Sequence, residues 1–315
     1  MADPRFTLHP VPGTATGPYG ITAGPDGALW ATLVHAGAVL RLHPGGEHAV
    51  HPLGAPGSGP SVITAGPDGA LWFTRMRDHR IGRITPGGDL TDHGLEPGCA
   101  PFGITAGPDG ALWFTETRSG RIGRITVEGQ VSAFPLPVAD AFPAFITAGA
   151  DGALWFTLNR AAALGRVTCG GEVTLHPLPR PDAAPVGIAA GPDGALWFTD
   201  IAAGLIGRLR PDGTITEYPL DDPGSRPHAV VAGSDGGCWY TEWGTGRLGR
   251  ITPDGRITGY ALPAVGTSGA PGAPGAPEVC DAAHATAPEP HGLAFGPDGA
   301  LYVALEAGAV ARFAP

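Results

Sequence analysis

Residues Gly103 to Glu116 read GITAGPDGALWFTE, and close copies of this stretch recur until they account for nearly all of the 315-residue chain. The glycine that opens each GPDG-like turn falls at Gly24, Gly66, Gly107, Gly149, Gly191, Gly233 and Gly296, in steps of 42, 41, 42, 42, 42 and 63 residues. An aromatic residue follows at a fixed distance: Trp30, Trp72, Trp113, Trp155, Trp197, Trp239 and, in the last copy, Tyr302. A constant period of this length reports a unit that cannot bury its apolar face alone and must stack on its own copies.

Inside one copy, short apolar runs alternate with turn residues, which suits strands and leaves no stretch long enough for an amphipathic helix. The third copy predicts four strands, beginning near Phe102, Ala111, Arg121 and Gln130. Asp109-Gly110 supplies the tight turn between the first two, because glycine tolerates the positive φ that short hairpin loops require. Four antiparallel strands per unit of about 40 to 45 residues are the signature of a β-propeller, here with seven blades.

The chain ends support that reading. The last copy stops after three strands, at Val310-Ala311-Arg312-Phe313, whereas Arg5 to Val11 (RFTLHPV) resembles the fourth strands elsewhere, such as VTLHP at 173–177 and ITEYP at 215–219. The N-terminal strand is therefore expected to complete the last blade and leave no open sheet edge. A closed ring cannot be divided, so residues 1–315 form one domain. Its one composition break is Val265 to Pro288, rich in Pro, Gly and Ala, which makes the last step 21 residues longer than the usual 42. This is expected to be a flexible loop inserted between blades six and seven, either a solvated expansion or a lid.

The net charge of −10 and the absence of a basic cluster argue against nucleic acid as a partner. All 19 basic residues are Arg, many at one slot of the third strand (Arg83, Arg124, Arg166, Arg208 and Arg250), where they are expected to pair blade to blade. MADPRFTL lacks a charged start followed by an apolar run, so neither secretion nor a membrane span is signalled and a cytoplasmic protein is expected. Cys99, Cys169, Cys238 and Cys280 lie in different repeats without paired spacing, which suits neither a disulfide framework nor a zinc site.

The site is sought where repeat positions converge. The start of each first strand and the end of each second strand meet around one mouth of the channel, and the GPDG turns lie on the opposite face. The first set reads Tyr19, Val62, Phe102, Ala144 or Phe145, Val186, His228 and His291. The second reads Leu33, Arg75, Glu116, Leu158, Asp200, Glu242 and then Glu306, displaced by one residue. His228 and His291 break a slot that is small or apolar in other blades, and Glu289 and Glu306 lie in the same blade as His291. An imidazole can take or give a proton near neutral pH, and two carboxylates with water can hold a hard cation such as Mg²⁺. Glu116, Asp200 and Glu242 are expected to accept structural hydrogen bonds instead.

GPYGIT, GPDGALWFTE and RIGRIT, the sixth-blade RPHAVV followed by YTEWGTGRLGR, and the seventh-blade EPHGLA followed by LYVALE together resemble the virginiamycin B lyase (streptogramin B lyase) family over essentially all of the chain except the insertion. The resemblance implies a monomeric, Mg²⁺-dependent seven-bladed propeller that linearises a cyclic depsipeptide antibiotic by elimination. It implies His291 as general acid/base, His228 as a substrate-binding residue, and Glu289 and Glu306 as metal ligands. Tyr19, from the same mouth, is expected to contact substrate as well. Arg75 and Leu158 replace the usual terminal Glu, Phe102 replaces an expected Tyr, and the insertion directly precedes Glu289. These departures touch residues that choose a ligand rather than those that do chemistry. A metal-dependent lactonase or esterase and a non-catalytic binding module are the two competing classes.

Overall fold

The third copy folds as its pattern predicts, into antiparallel strands Pro101–Ala106, Leu112–Glu116, Arg121–Ile125 and Val131–Pro135. Six further sheets of the same order complete a seven-bladed propeller in the computed structural model, which describes residues 3–13, 16–266 and 285–315. The last blade is built from Pro290–Phe295, Leu301–Leu305, Ala309–Phe313 and the N-terminal strand Phe6–Pro10, with Phe6 opposite Phe313 and Pro10 opposite Ala309. Among the described residues no helix is long and apolar enough to cross a membrane.

The second strand of each blade is buried along its whole length, because it has sheet on both sides and a neighbouring blade over each face. Its aromatic residues require space from the third strand. A Cβ at Gly123 would lie 2.2 Å from the Phe114 ring, so only glycine fits there. Blade one has Ala31 opposite Leu40, and blade seven has Val303 opposite Ala311. The bulk has moved across the pair or been shared, which holds the layer at native packing density.

The ion pairs of the arginines lie inside their own blades and not between blades as expected; of the five, Arg208 also reaches across, donating to the Pro253 carbonyl of blade six at 3.3 Å. The hairpin register sets Trp113 opposite Arg124, and Asp109 of the preceding turn holds both, accepting from Trp113 Nε1 at 3.0 Å and from Arg124 Nε at 2.7 Å. The guanidinium lies over the indole at 5.9 Å. Burial alone would raise the Asp109 pKa, but these two hydrogen bonds, with the Ala111 N–H and the Arg124 charge, together outweigh it and hold the carboxylate below its ordinary value. The positive φ of Gly110, +74°, lets the chain turn back sharply enough to place that aspartate.

Apolar clusters join neighbouring blades, as where Trp30 and Val39 pack with Ile63, Leu71 and Phe73, and a threonine that the sequence reading passed over adds a polar latch. Thr32, Thr74, Thr115, Thr157, Thr199 and Thr241 each donate to a first-strand carbonyl of the next blade, at 2.5 to 2.8 Å. Each also accepts an N–H from its own first strand, as Thr115 does from Gly103 at 2.9 Å. Blade seven has Ala304 at this position, so the joint between blades seven and one lacks the latch.

Residues 267–284 of the insertion lie outside the described residues. Its two ends are not loop, as expected, but a short antiparallel ladder with Val265 opposite Thr286 and Gly266 opposite Ala285. Val265 is buried against the core of blades six and seven, which gives that ladder its anchor. Cys99, Cys169 and Cys238 are free thiols, and Cys280 lies outside the described residues.

Candidate active site

The first strands run down the channel wall from the mouth, and their second or third residues turn inward. Rings from five blades converge there. Tyr19 stacks on His291 with centroids 4.4 Å apart, His291 meets His228 edge-on at 4.9 Å, and His228 meets Phe145 edge-on at 5.6 Å. Phe145 then meets Phe102 at 5.3 Å, and Phe102 returns to Tyr19 at 6.1 Å. Phe145 rather than Ala144 is thus the mouth residue of blade four. Beneath these rings the channel narrows to a pocket of about 120 Å³ lined by Ile21, Val62, Val230 and Leu293. Tyr19 and Phe145 of this ring cluster also line that pocket.

Two of the threonine latches end on the histidines themselves. Thr199 donates to the carbonyl of His228, and Thr241 donates to that of His291. The backbone of both imidazoles is therefore fixed by the neighbouring blade. Tyr19 Oη lies 3.3 Å from His228 Nε2, which ties the tyrosine to one histidine while its ring covers the other. Burial, then the nearby His291, lowers the His228 pKa to about 3, so that imidazole is neutral at physiological pH. Burial, then the Glu306 carboxylate, pushes the Tyr19 phenol above its ordinary value.

Glu306 makes the electrostatic centre. Its carboxylate accepts from His291 Nε2 on one side and lies 2.7 Å from Nε2 of His35 on the other. The His291 hydrogen bond is the main reason that its pKa falls to about 2; burial opposes the shift and His35 adds to it. Glu289 is exposed, and its backbone carbonyl accepts the Glu306 N–H at 3.0 Å, which sets the two acidic residues side by side. Glu289 holds a φ of +44° at the position that Gly17 and Gly59 fill with +64° and +60° in blades one and two. Ala100, Phe142 and Arg226 hold +52°, +50° and +48° at the same position, directly before the first strands of blades three, four and six, so this turn conformation belongs to the repeat.

Tyr19, His228, His291 and Glu306 therefore come together as the sequence suggests, and Glu289 is joined to them through the backbone. Among the described residues no group of three or more His, Cys, Asp and Glu side chains has the arrangement of a metal site. Glu289 and Glu306 carry the hard oxygen donors that Mg²⁺ takes, but it is their backbones that meet, and the two Glu306 oxygens face His291 and His35.

The other acidic ends of second strands do structural work. Glu116 accepts from Arg121 Nε at 2.7 Å, Asp200 accepts the N–H groups of Ala184, Ala202 and Ala203 at 3.1 Å, and Glu242 accepts from Thr245 at 2.6 Å. Arg75 is buried against Asp78 and Asp92. Two site residues escaped the sequence reading. His35 lies two positions past the end of its strand, and the half-buried Trp243, 6.4 Å from His291, sits one residue past Glu242. Both belong to the mouth-side turns directly after the positions considered, and that placement was the signal available.

A sequence profile of the Virginiamycin B lyase family matches residues 4–271. A solved streptogramin B lyase structure superposes with a TM-score of 0.88 at 36% identity, covering 98% of this chain and 97% of that one. Virginiamycin B lyase from Staphylococcus aureus gives a TM-score of 0.87 at 36% identity, covering 98% and 99%. A catalytically inactive histidine-to-alanine variant of it, solved with quinupristin, gives 0.87 at 35% identity with the same coverage. The curated virginiamycin B lyase of Saccharopolyspora erythraea is 74% identical over 39 residues, a segment that covers 12% of this chain and only 13% of that relative.

Proposed function

Because the chain belongs to the virginiamycin B lyase family, we propose that it linearises streptogramin B antibiotics, cyclic depsipeptides closed by an ester on a threonine side chain, through β-elimination at that threonine. The observation that carries this reading is the His291–Glu306 pair at the mouth, set beside Tyr19 and His228. The inactivity of the S. aureus histidine variant that was solved with quinupristin supports a histidine as the essential group.

The reaction needs a base for the proton α to the threonine carbonyl. His291 takes that proton on Nδ1, the nitrogen left without a hydrogen-bond partner, the electron pair forms the Cα=Cβ double bond, and the Cβ–O bond breaks to release the ester oxygen as a carboxylate. No water is consumed. Glu306 orients the imidazole by accepting from Nε2, and its negative charge faces the positive charge that develops on the ring. A Mg²⁺ ion held by Glu289 and Glu306 would polarise the carbonyl next to the acidic carbon as a Lewis acid. His228, kept neutral by burial, holds the Tyr19 hydroxyl at Nε2, and this Tyr19–His228 pair would meet the substrate together. A macrocycle would lie across the mouth, against this ring cluster.

Product mass tests the proposal. Incubation with quinupristin and Mg²⁺ should give a linear product of unchanged mass, because elimination adds nothing. A product heavier by one water, with ¹⁸O from labelled solvent in its carboxylate, would transfer the site to a hydrolase.

A further inference from the structure

The face opposite the mouth carries a second cavity, of about 450 Å³, between blades four and five. That volume falls within the range of small-molecule pockets, roughly 300 to 1,000 Å³. The rest of the ring shows why it is open. At comparable joints the aromatic residue of each fourth strand reaches over the glycine in the next blade's outer turn. A Cβ built on that glycine would lie 3.6 Å from His9 at Gly46, 3.2 Å from His51 at Gly88, 2.6 Å from His93 at Gly129, 2.3 Å from Phe134 at Gly171 and 2.6 Å from Tyr218 at Gly255. At Gly213 nothing lies within 4 Å.

The missing ring is His176, which has tilted onto its own Trp155 with centroids 4.7 Å apart, against 5.4 to 5.6 Å for the stacked pairs of blades one to three. Trp155 is 9% exposed where Trp239 is 6% and Trp30, Trp72, Trp113 and Trp197 are 0%. On the far side the clasp of blade five has shifted. Arg208 reaches Asp193 through its terminal nitrogen, and the Trp197 Nε1 that Asp193 would hold is buried without a partner. One joint in the ring has therefore exchanged a packed ring for a cleft.

The lining defines the ligand. Trp155 and His176 provide an aromatic wall, and Leu196 and Leu209 an aliphatic one. Burial, then Arg166, lowers the His176 pKa, so its ring is uncharged at neutral pH. At the rim Arg166 is paired with Asp151, whereas Arg210 is exposed and has no ion-pair partner among the described residues. The exposed Asp212 is close enough to feel Arg210 but makes no ion pair with it, so the guanidinium is the unpaired group at the rim. We infer that the cleft between blades four and five is a second ligand site, for a small planar aromatic molecule bearing a carboxylate or sulfonate. The rings would take its plane between apolar walls, and Arg210 its anion in a charge-assisted hydrogen bond.

Calorimetric titration of the full chain with 2-naphthoate tests this. The parent should bind, Arg210→Ala should weaken binding at least about tenfold, the loss expected for one hydrogen bond to a charged group, and His176→Phe should abolish it by laying a ring over Gly213 as Phe134 does over Gly171. Circular dichroism of both variants should match the parent. The proposal is overturned by an absence of binding in the parent at millimolar probe, by unchanged binding in folded His176→Phe, which would place the probe elsewhere, or by equal binding of the uncharged 2-naphthalenemethanol.

Discussion

The two faces of the ring treat the same repeat in opposite ways. On the turn face an Arg–Asp ion pair recurs in every blade, from Arg41–Asp26 in the first to Arg312–Asp298 in the last. On the mouth face equivalent positions diverge. Glu116, Asp200 and Glu242 end their second strands and are consumed by their own turns. Glu306, displaced by a single residue, misses that turn and faces His291 of its own blade and His35 of the next. A repeated residue serves a task that every blade shares, closing a hairpin and packing on a neighbour. A residue that leaves the repeat is released from that task and free for chemistry.

The largest test of this contrast sets His291 against Glu116. His291→Ala should lower turnover by roughly 10² to 10⁴ with little change in melting temperature, the usual contribution of a positioned acid/base. Glu116→Gln should do the reverse, keeping turnover within about threefold while lowering stability by about 1 to 3 kcal/mol, since it weakens a buried charged hydrogen bond. Steady-state kinetics and thermal melts on both proteins decide it. Two variants that lose activity equally would end the division of labour.

Acid should act next, and through the mouth. The unfolded imidazole of His228 takes its proton near 6.5, whereas the folded one refuses it until about pH 3. As pH falls below 6.5 the unfolded state binds a proton that the folded state does not, so stability falls by up to about 1.4 kcal/mol per pH unit. Glu306 adds to this at lower pH: its contribution is complete above the ordinary value of 4.5 and is lost as pH falls through about 2. Melting temperatures between pH 7 and 4 should therefore drop more steeply for the parent than for His228→Asn. Parallel curves would mean that other groups govern acid unfolding.

The smallest effect concerns the shared scaffold. Thr115→Val keeps shape but leaves the Ala144 carbonyl and the Gly103 N–H without their hydroxyl partner, and should cost about 1 to 3 kcal/mol. Turnover should be unaffected, because blade three contributes no group to the proton transfer. Loss of activity in a fully folded Thr115→Val would show that cohesion between blades is tuned to the site.

What was legible followed from periodicity. The seven turns fixed the number of blades, and a last copy one strand short pointed to Phe6–Pro10 as the closing strand. Partners were less legible than positions. Arg124 recurs with the period, but its aspartate lies 15 residues earlier and is reached only through the hairpin that sets Trp113 opposite Arg124. The threonine latch was present in six copies, yet threonine in a strand reads as ordinary β-propensity until the neighbouring carbonyl is in view. His228 and His291 stood out because they broke a slot, whereas His35 sits in a turn with no repeated residue to break. The side-by-side placement of Glu289 and Glu306 depends on a backbone hydrogen bond between chain segments 17 residues apart in number, which no local pattern encodes.

The joint without a threonine latch lies between blades seven and one, and the mouth residues straddle it: His291 and Glu306 on one side, Tyr19 and His35 on the other. A ligand that touches both sides can bind only the closed ring, so occupancy and closure are linked by mass action. At a ligand concentration 100 times its dissociation constant the closed form gains about 2.7 kcal/mol. The substrate would then act as a removable staple at the joint that lacks the threonine latch. In His291→Ala, which should hold quinupristin without consuming it, saturation should slow amide exchange in Phe6–Pro10 and Ala309–Phe313 more than in blade three. Equal slowing around the ring would mean that the joint is as tight as the others.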